Sequence, residues 1–336
     1  MNKYEWLLEQ DIPYEKFRNT NVLVTGANGM IASDFVEALI ALNRSLQLNM
    51  KVYALCRNPK NAEKRFSSIT GDDFELLIQD VITPIDSSLD FQYIFHMASS
   101  ANPDAFNNYP ADVMKSNFIG TMNLLDYAKD RNCRVLFVSS SEIYGENFEG
   151  VENFSEDYKG EIDYYRFRAC YPESKRASET LCKCYEKQYQ SDVVIVRPAF
   201  IYGRSIIDSN NRADVYFLRQ GLNHENIVMY SDGKQIRSYC YINDCITGFL
   251  YVALKGQTGE AYNIGNMDCV VTMREYAEAI AKEADVEVIF DPQTAPDNKV
   301  MLKTTKLILN TEKLESLGWK PLYSLEDGLK DIFSKC

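Results

Sequence analysis

The sequence predicts an α/β protein, a doubly wound parallel sheet with a smaller C-terminal lobe. Three observations carry that expectation. Six short runs are apolar at nearly every position rather than at alternate ones. Amphipathic helical stretches lie between several of them. A glycine-rich turn follows directly on the first run. Strands that are apolar throughout are strands covered on both faces, which is the condition of a parallel sheet with helices on either side.

The elements follow in order. Residues 1–18 read as a short amphipathic helix or an arm laid on the domain. Asn21–Thr25 (NVLVT) is the first strand, and a helix is expected over Ile31–Leu42. Lys51–Leu55, Phe74–Ile78, Tyr93–Met97, Arg134–Ser139 and Val193–Arg197 are the next five strands. Long helices are expected over Asp112–Arg131 and Pro172–Gln190. After Arg197 the alternation breaks into turns, isolated glycines and mixed segments. The division expected is therefore 1–197 for the sheet domain with its arm, and 198–336 for a mainly separate lobe, some of whose segments return to the sheet.

Composition narrows the function. The 336 residues are 46% apolar and 25% charged, the balance of a globular chain. A net charge of −12 argues against a nucleic-acid partner, since a duplex requires a basic face. Anionic ligands would have to be held by a few local arginines, lysines and backbone N–H groups. Nine cysteines, an odd number, show no paired CxxC spacing, and Cys182 and Cys184 have no histidine cluster beside them, so no metal site is expected. The N-terminal stretch is polar and acidic, and no apolar run reaches the roughly 18 residues of a membrane span. A reducing cytoplasm is the expected compartment.

The turn Gly26-Ala27-Asn28-Gly29-Met30-Ile31-Ala32 sits between a strand and a helix. Gly26 permits a tight turn, Gly29 lets backbone approach a pyrophosphate, and Ala32 serves where only a small residue fits. The N–H groups at the helix start then face the phosphates. In that context the turn predicts a Rossmann dinucleotide site. At the end of the second strand the usual acidic ribose partner is absent; Cys56-Arg57 stands there instead. Arg57 suits a 2′-phosphate or stacking on adenine, so the expectation is NAD with NADP open. Asp80, after the third strand, is a candidate acceptor for the adenine amino group, or a strand cap.

The chemistry-bearing segments should meet at the carboxyl ends of the strands. The fifth strand runs into Ser139-Ser140-Ser141-Glu142, and the following long helix carries Tyr171 and Lys175 one turn apart. Asn117 lies on the helix before the fifth strand. Oxidising a secondary alcohol requires a base for the hydroxyl proton while hydride leaves carbon. Free tyrosine titrates near pH 10, so a lysine ammonium one turn away, together with a positive nicotinamide, is expected to lower it. Ser140 would orient the alcohol oxygen, and Asn117 would steady Lys175 through a water or a backbone link.

Taken together, GANG, His96-Met97-Ala98-Ser99, SSSEIYG at 139–145, YPESK at 171–175, DGKQIRSYCYINDC at 232–245, AYNIGN at 261–266 and LGWKPLYSLEDGL at 317–329 resemble the extended short-chain dehydrogenase/reductase family. The resemblance runs over essentially the whole chain after residue 20. It implies nucleotide-sugar chemistry through transient C4 oxidation, a homodimer formed by the two long helices, and Ser140, Tyr171, Lys175 and Asn117 as the catalytic tetrad. It implies cofactor contacts from Gly26, Asn28, Gly29, Met30, Ile31, Asp80, Val81, Met97, Ala98 and Ser99, with Tyr171 and Lys175.

Within that family, Ser141-Glu142 and RACY…KR at 168–176 resemble the UDP-glucuronate decarboxylases, and Ser-Glu also occurs in the GDP-mannose dehydratases. Glu142 is read as a further catalytic group acting on the sugar ring, or as a turn cap. Arg237 aligns with an arginine that grips the nucleotide diphosphate or sugar. Arg204 and Arg212 are expected along the substrate cleft of the second lobe, and Arg168 and Ser141 near the sugar. Phe200 stands where relatives carry a substrate-holding asparagine, and Arg204 where they carry proline. A 4,6-dehydratase or 4-epimerase on another nucleotide sugar is therefore the alternative. A dinucleotide-binding sensor without chemistry is the alternative of another class.

Overall fold

A computed structural model describes residues 4–146, 150–207, 210–291 and 306–334. The strands are β1 (Asn21–Thr25), β2 (Lys51–Cys56), β3 (Phe74–Ile78), β4 (Tyr93–His96), β5 (Arg134–Val138), β6 (Val193–Pro198), β7 (Phe200–Tyr202), β8 (Ile227–Met229), β9 (Ile236–Tyr241), β10 (Ala261–Ile264), β11 (Val270–Thr272), β12 (Val288–Phe290) and β13 (Lys306–Leu307). The helices are α1 (Met30–Leu46), α2 (Pro59–Arg65), α3 (Pro103–Asn108), α4 (Pro110–Ala128), α5 (Cys170–Tyr189), α6 (Ala213–Leu222), α7 (Ile242–Lys255), α8 (Met273–Ala284), α9 (Glu312–Glu315) and α10 (Leu325–Phe333).

The main sheet runs β10-β6-β5-β4-β1-β2-β3 and is parallel at every junction. Each of the six expected strands is present, with ends shifted by a residue at most. The seventh, β10, comes from the AYNI stretch in the second half of the chain. The chain order reverses between β1 and β4, and that junction opens the crevice in which such sheets bind ligands.

Why the strands are apolar throughout is visible in where alternate residues go. Val22 and Val24 of β1 join the cluster under α1 and α7, and Leu23 joins the opposite cluster with Leu124, Phe137 and Cys182. On the first face Phe35 meets Phe95 at 4.6 Å and Phe249 at 5.9 Å between ring centroids. On the second face α4 lies over β4 and β5, and α5 over β6.

The arm expected over 1–18 is described from Tyr4 onward and is two single 3₁₀ turns, Glu5–Glu9 and Tyr14–Phe17, not one helix. Leu7 and Phe17 are its anchors, both fully buried. The Tyr14 hydroxyl donates to the Leu7 carbonyl at 2.6 Å, and Lys16 donates to the Leu254 carbonyl at 2.6 Å. Positions 208–209 and 292–305 of the expected second lobe lie outside the described residues. Among the described ones, β9 is its hub, pairing with β7, β11 and β13. No described helix is long and apolar enough to cross a membrane.

The C-terminal motif is held by Asp244 at the start of α7. Its carboxylate accepts the backbone N–H groups of Leu322 at 2.9 Å and Tyr323 at 3.2 Å. The buried Trp319 indole donates to Thr247 Oγ1 at 2.9 Å. Burial pushes the Asp244 carboxyl up to about 7, against the two N–H groups that lower it. A folded value above the unfolded one, near 4, means that this group's support is complete below about pH 4 and is lost as pH rises toward 7. Asp244→Asn is therefore expected to gain Tm relative to the parent chain as pH rises from about 4 to 7. Scanning calorimetry across that range checks it, and a pH-independent difference between the two proteins rejects it.

Candidate active site

The glycine-rich turn places its residues by backbone sterics. Gly26 has φ +63°, and a Cβ there would stand 2.6 Å from the Ala98 Cα. Only a residue without Cβ lets the β1 and β4 ends come this close. A Cβ on Gly29 would stand 3.1 Å from the Gly26 carbonyl oxygen, and Gly29 caps α1 with no side-chain acceptor. The first N–H groups of α1, from Met30 and Ile31, thus have no side-chain cap, the condition in which a helix start takes an anion. Asn28 sits at the tip of the same turn. Ser99 Oγ is buried with no hydrogen-bond partner at the end of β4. A dinucleotide fits this surface: backbone donors for the pyrophosphate and an orphaned hydroxyl beyond them.

Sequence reading missed what fixes this turn. Thr25 Oγ1 accepts from the N–H groups of Met97 and Ala98, both at 3.2 Å. Its own proton therefore goes to His96 Nδ1, 2.9 Å away. Burial, with help from Lys175, holds His96 down to about 3, so the ring is neutral with its proton on Nε2. The signal was the polar residue closing an otherwise apolar strand just before Gly26.

Arg57 and Asp80 face each other across the ends of β2 and β3, with Arg57 Nη1 3.9 Å from Asp80 Oδ2. Asp80 Oδ1 also accepts the Ile82 N–H at 3.2 Å, so the residue does cap its turn. Val81 is buried against Gly120 of α4, where a Cβ would stand 2.9 Å from a Val81 methyl.

Tyr171 lies in the first turn of α5, which begins at Cys170, two residues earlier than expected. Its phenol hydrogen-bonds Ser140 and is pushed up to about 12, by burial first and the Glu142 charge next; Ser140, Arg212 and Arg168 pull the other way. Lys175 donates to the Val138 carbonyl at 2.7 Å, and its Nζ stands 5.9 Å from the centre of the Tyr171 ring. Burial lowers that amine to about 7, partly offset by Glu179. The charges that act most on the phenol are those of Glu142, Arg212 and Arg168 rather than of Lys175. Asn117 is also placed differently. Its amide donates to Ser174 Oγ at 2.8 Å, and its carbonyl accepts the hydroxyls of Thr121 and Ser178 at 2.5 and 3.0 Å. It ties α4 to the residue beside Lys175, and its Oδ1 is left without a partner.

Ser141 is buried within a 3₁₀ turn over Ser141–Tyr144. Ser140 caps that turn by accepting the Glu142 N–H at 3.2 Å. Gly145 ends the turn with φ +68°, where a Cβ would collide with the Glu161 carbonyl at 2.1 Å. Both Glu142 oxygens accept from Arg168 Nη2, at 2.9 and 3.1 Å, and the two side chains are 16% and 18% exposed. Arg168, expected near the sugar, is thus paired with Glu142. Arg212 and Arg237 also feel the Glu142 charge. Their guanidinium centres lie 5.8 and 4.8 Å from the centre of the Phe200 ring. Arg212 is ion-paired with Asp214. Burial lowers Arg237 below the usual guanidinium range.

Arg204 is not among this group of contacts: it pairs with Asp331 of α10 at 3.2 Å, the same carboxylate that accepts the Tyr241 hydroxyl. The tertiary return of α10 gives it a structural partner that its place beside Gly203 did not reveal. A cavity of about 390 Å³ lies elsewhere, between Tyr4, Glu37, Ile40, Arg44 and Ile69, and touches none of the residues above.

Chemically, the cluster offers a phenol with a hydroxyl and an amine beside it, and a carboxylate held among guanidiniums. That is equipment for moving a proton to or from an alcohol and for steadying an anion next to it.

Known proteins give the same picture. The sequence pattern of the NAD dependent epimerase/dehydratase family matches residues 22–265. UDP-glucuronic acid decarboxylase 6 of Arabidopsis thaliana is 33% identical over 313 residues, 93% of this chain and 87% of that protein. UDP-glucuronic acid decarboxylase 1 of Danio rerio is 29% identical, over 92% of this chain and 70% of its own. In fold, UDP-glucuronic acid 4-epimerase from Bacillus cereus superposes with a TM-score of 0.79 at 23% identity, covering 94% of this chain and 99% of the other. From β1 through β10 the chain therefore carries the pattern, the sheet order and the glycine turn of one group, and it belongs to the NAD dependent epimerase/dehydratase family.

Proposed function

We propose that the protein is a nucleotide-sugar enzyme that decarboxylates a nucleoside-diphosphate uronic acid, with UDP-glucuronate as the substrate to test first. The observation that carries this reading is the Glu142–Arg168 pair beside Tyr171, with the Arg212 and Arg237 guanidiniums also in the field of Glu142. In a chain of net charge −12, three guanidiniums gathered near Glu142 suit a substrate bearing a carboxylate as well as a diphosphate. The names of the relatives at 29–33% identity support it.

In this reading Gly26, Asn28, Gly29, Met30 and Ile31 take the cofactor pyrophosphate, with Val81, Met97, Ala98 and Ser99 along its path. NAD is the cofactor, in keeping with the NAD dependent epimerase/dehydratase family to which the chain belongs. NAD, when bound, would supply reversible hydride acceptance at C4 and a positive ring that would help to lower the Tyr171 phenol. Tyr171 takes the C4 hydroxyl proton while Ser140 orients the oxygen and Lys175, steadied through Asn117 and Ser174, supplies positive charge. In the resulting 4-keto uronate the C5–carboxylate bond breaks, its electrons pass toward the C4 oxygen, and CO₂ leaves. One proton then enters at C5, with Glu142 placed to guide it, and return of the hydride restores the alcohol. Arg212 and Arg237 hold the diphosphate and sugar beside the Phe200 ring, Ser141 lines the sugar side, and Arg204, paired with Asp331 of α10, braces the lobe. Residues 1–197 serve mainly the cofactor and 198–336 mainly the nucleotide sugar. The compartment is a reducing cytoplasm.

The protein is a homodimer in this reading, with α4 and α5 as its face. Met114 and Phe118, one turn apart on α4, are 45% and 37% exposed, an apolar stripe on a helix otherwise packed against α5. Phe118→Glu should shift the mass by light scattering from dimer to monomer; a wild-type monomer rejects this face.

With UDP-glucuronate, mass spectrometry should detect a product lighter by CO₂. Loss of water instead would identify a dehydratase, and unchanged mass with a new retention time an epimerase. Tyr171→Phe should reduce turnover by about a thousandfold or more while NAD still binds. Wild-type activity in that variant sinks the assignment. Because burial holds Tyr171 at about 12 in the free chain, kcat/KM should rise with pH as more of the phenol ionises, and initial rates between pH 6 and 9 check it.

A further inference from the structure

We propose that Phe106 is a positioning residue: a single buried ring on α3 fixes the phenol of Tyr171 and the guanidinium of Arg168 against each other, and through Arg168 the carboxylate of Glu142. This rests on the reading of Tyr171 as the base.

Phe106 is 3% exposed. The Arg168 guanidinium centre lies 4.2 Å from the centre of its ring, within cation–π range. The Tyr171 ring lies 5.2 Å from it, tilted by 38°. Arg168 has few other constraints. Its Nε is buried with no hydrogen-bond partner, and Nη2 carries both contacts to Glu142. The ring face and the carboxylate therefore set the guanidinium's orientation between them.

The platform is separately built. Ala105, Phe106, Val113, Cys170 and Tyr171 form a small cluster apart from the main core. α3 is held at its start by Asn102, whose side chain accepts the Ala105 N–H at 2.9 Å, and by Pro103 at its first position. It follows directly on the Ala98–Ser99 end of β4, so the segment leading from the cofactor side also carries the ring that sets the proton-transfer side. Nothing else in α3 reaches the site by a contact of this kind among the described residues.

The groups facing the Tyr171 phenol are Ser140, Glu142, Arg168 and Arg212, with Lys175 on its own helix. Phe106→Leu keeps most of the apolar volume and removes the ring face. It should fold with a Tm close to wild type and bind NAD as wild type does. On UDP-glucuronate its kcat should fall about tenfold with KM changed by less than about threefold. The rising limb of its kcat–pH profile should shift, because the Glu142 charge that raises the phenol and the Arg168 charge that lowers it are no longer held in place against it. Phe106→Tyr, which restores the ring, should recover both. A folded Phe106→Leu protein with wild-type kcat and an unmoved limb overturns the proposal, as does a parallel loss of kcat in Phe106→Tyr. The functional reading fails separately, through a wild type inert on UDP-glucuronate or a Tyr171→Phe variant that still turns over.

Discussion

The rest of the site hangs from one close approach of two backbones, that of Gly26 to Ala98. With no Cβ at Gly26, the ends of β1 and β4 meet, and the crevice opens where the strand order reverses. Thr25 locks that junction by accepting two N–H groups from the β4 end and passing its own proton to His96. A larger residue at 26 would push the β4 end outward, and with it Ser99 and the whole α3 segment that follows.

The second layer of control lies between the sheet and helices α4 and α5. Burial there is close to complete, so polar groups must find partners or carry a cost of about 1–3 kcal/mol each. Most do: Asn117 bonds Ser174, and Ser178 and Thr121 bond back to the Asn117 carbonyl. Exceptions are His96 Nε2, Asn117 Oδ1 and Ser139 Oγ, and the His96 ring and the Lys175 amine both lie against Phe137. Buried polar atoms without a partner call for an explanation, and those near Lys175 fall within the candidate site.

Electrostatics divide the labour further. The chain is strongly acidic overall, yet Arg168, Arg212 and Arg237 share the field of one carboxylate, Glu142. Low exposure keeps solvent from screening these charges, so Glu142, Arg212 and Arg168 affect the Tyr171 phenol more than a surface ion pair would. Phe200, in the place of a hydrogen-bonding asparagine, offers an apolar ring to two of the guanidiniums. That trades a directional contact with substrate for preorganised cations.

By itself the sequence determined the local facts: six strands within a residue of their ends, the glycine turn, and the Tyr171–Lys175 spacing. Each depends on neighbours in the chain, on apolar runs, φ > 0 at Gly26 and one helical turn. Which face each strand residue meets was hidden, because both faces of a parallel sheet are equally apolar. Tertiary structure alone decided the partners. It paired Arg168 with Glu142, Arg204 with Asp331 of the last helix, and Arg57 with Asp80. It turned Lys175 toward the Val138 carbonyl, brought β10 back to the sheet and set Phe106 beneath Tyr171. Charge pairing and burial act between residues distant in the chain, and no spacing along it records them.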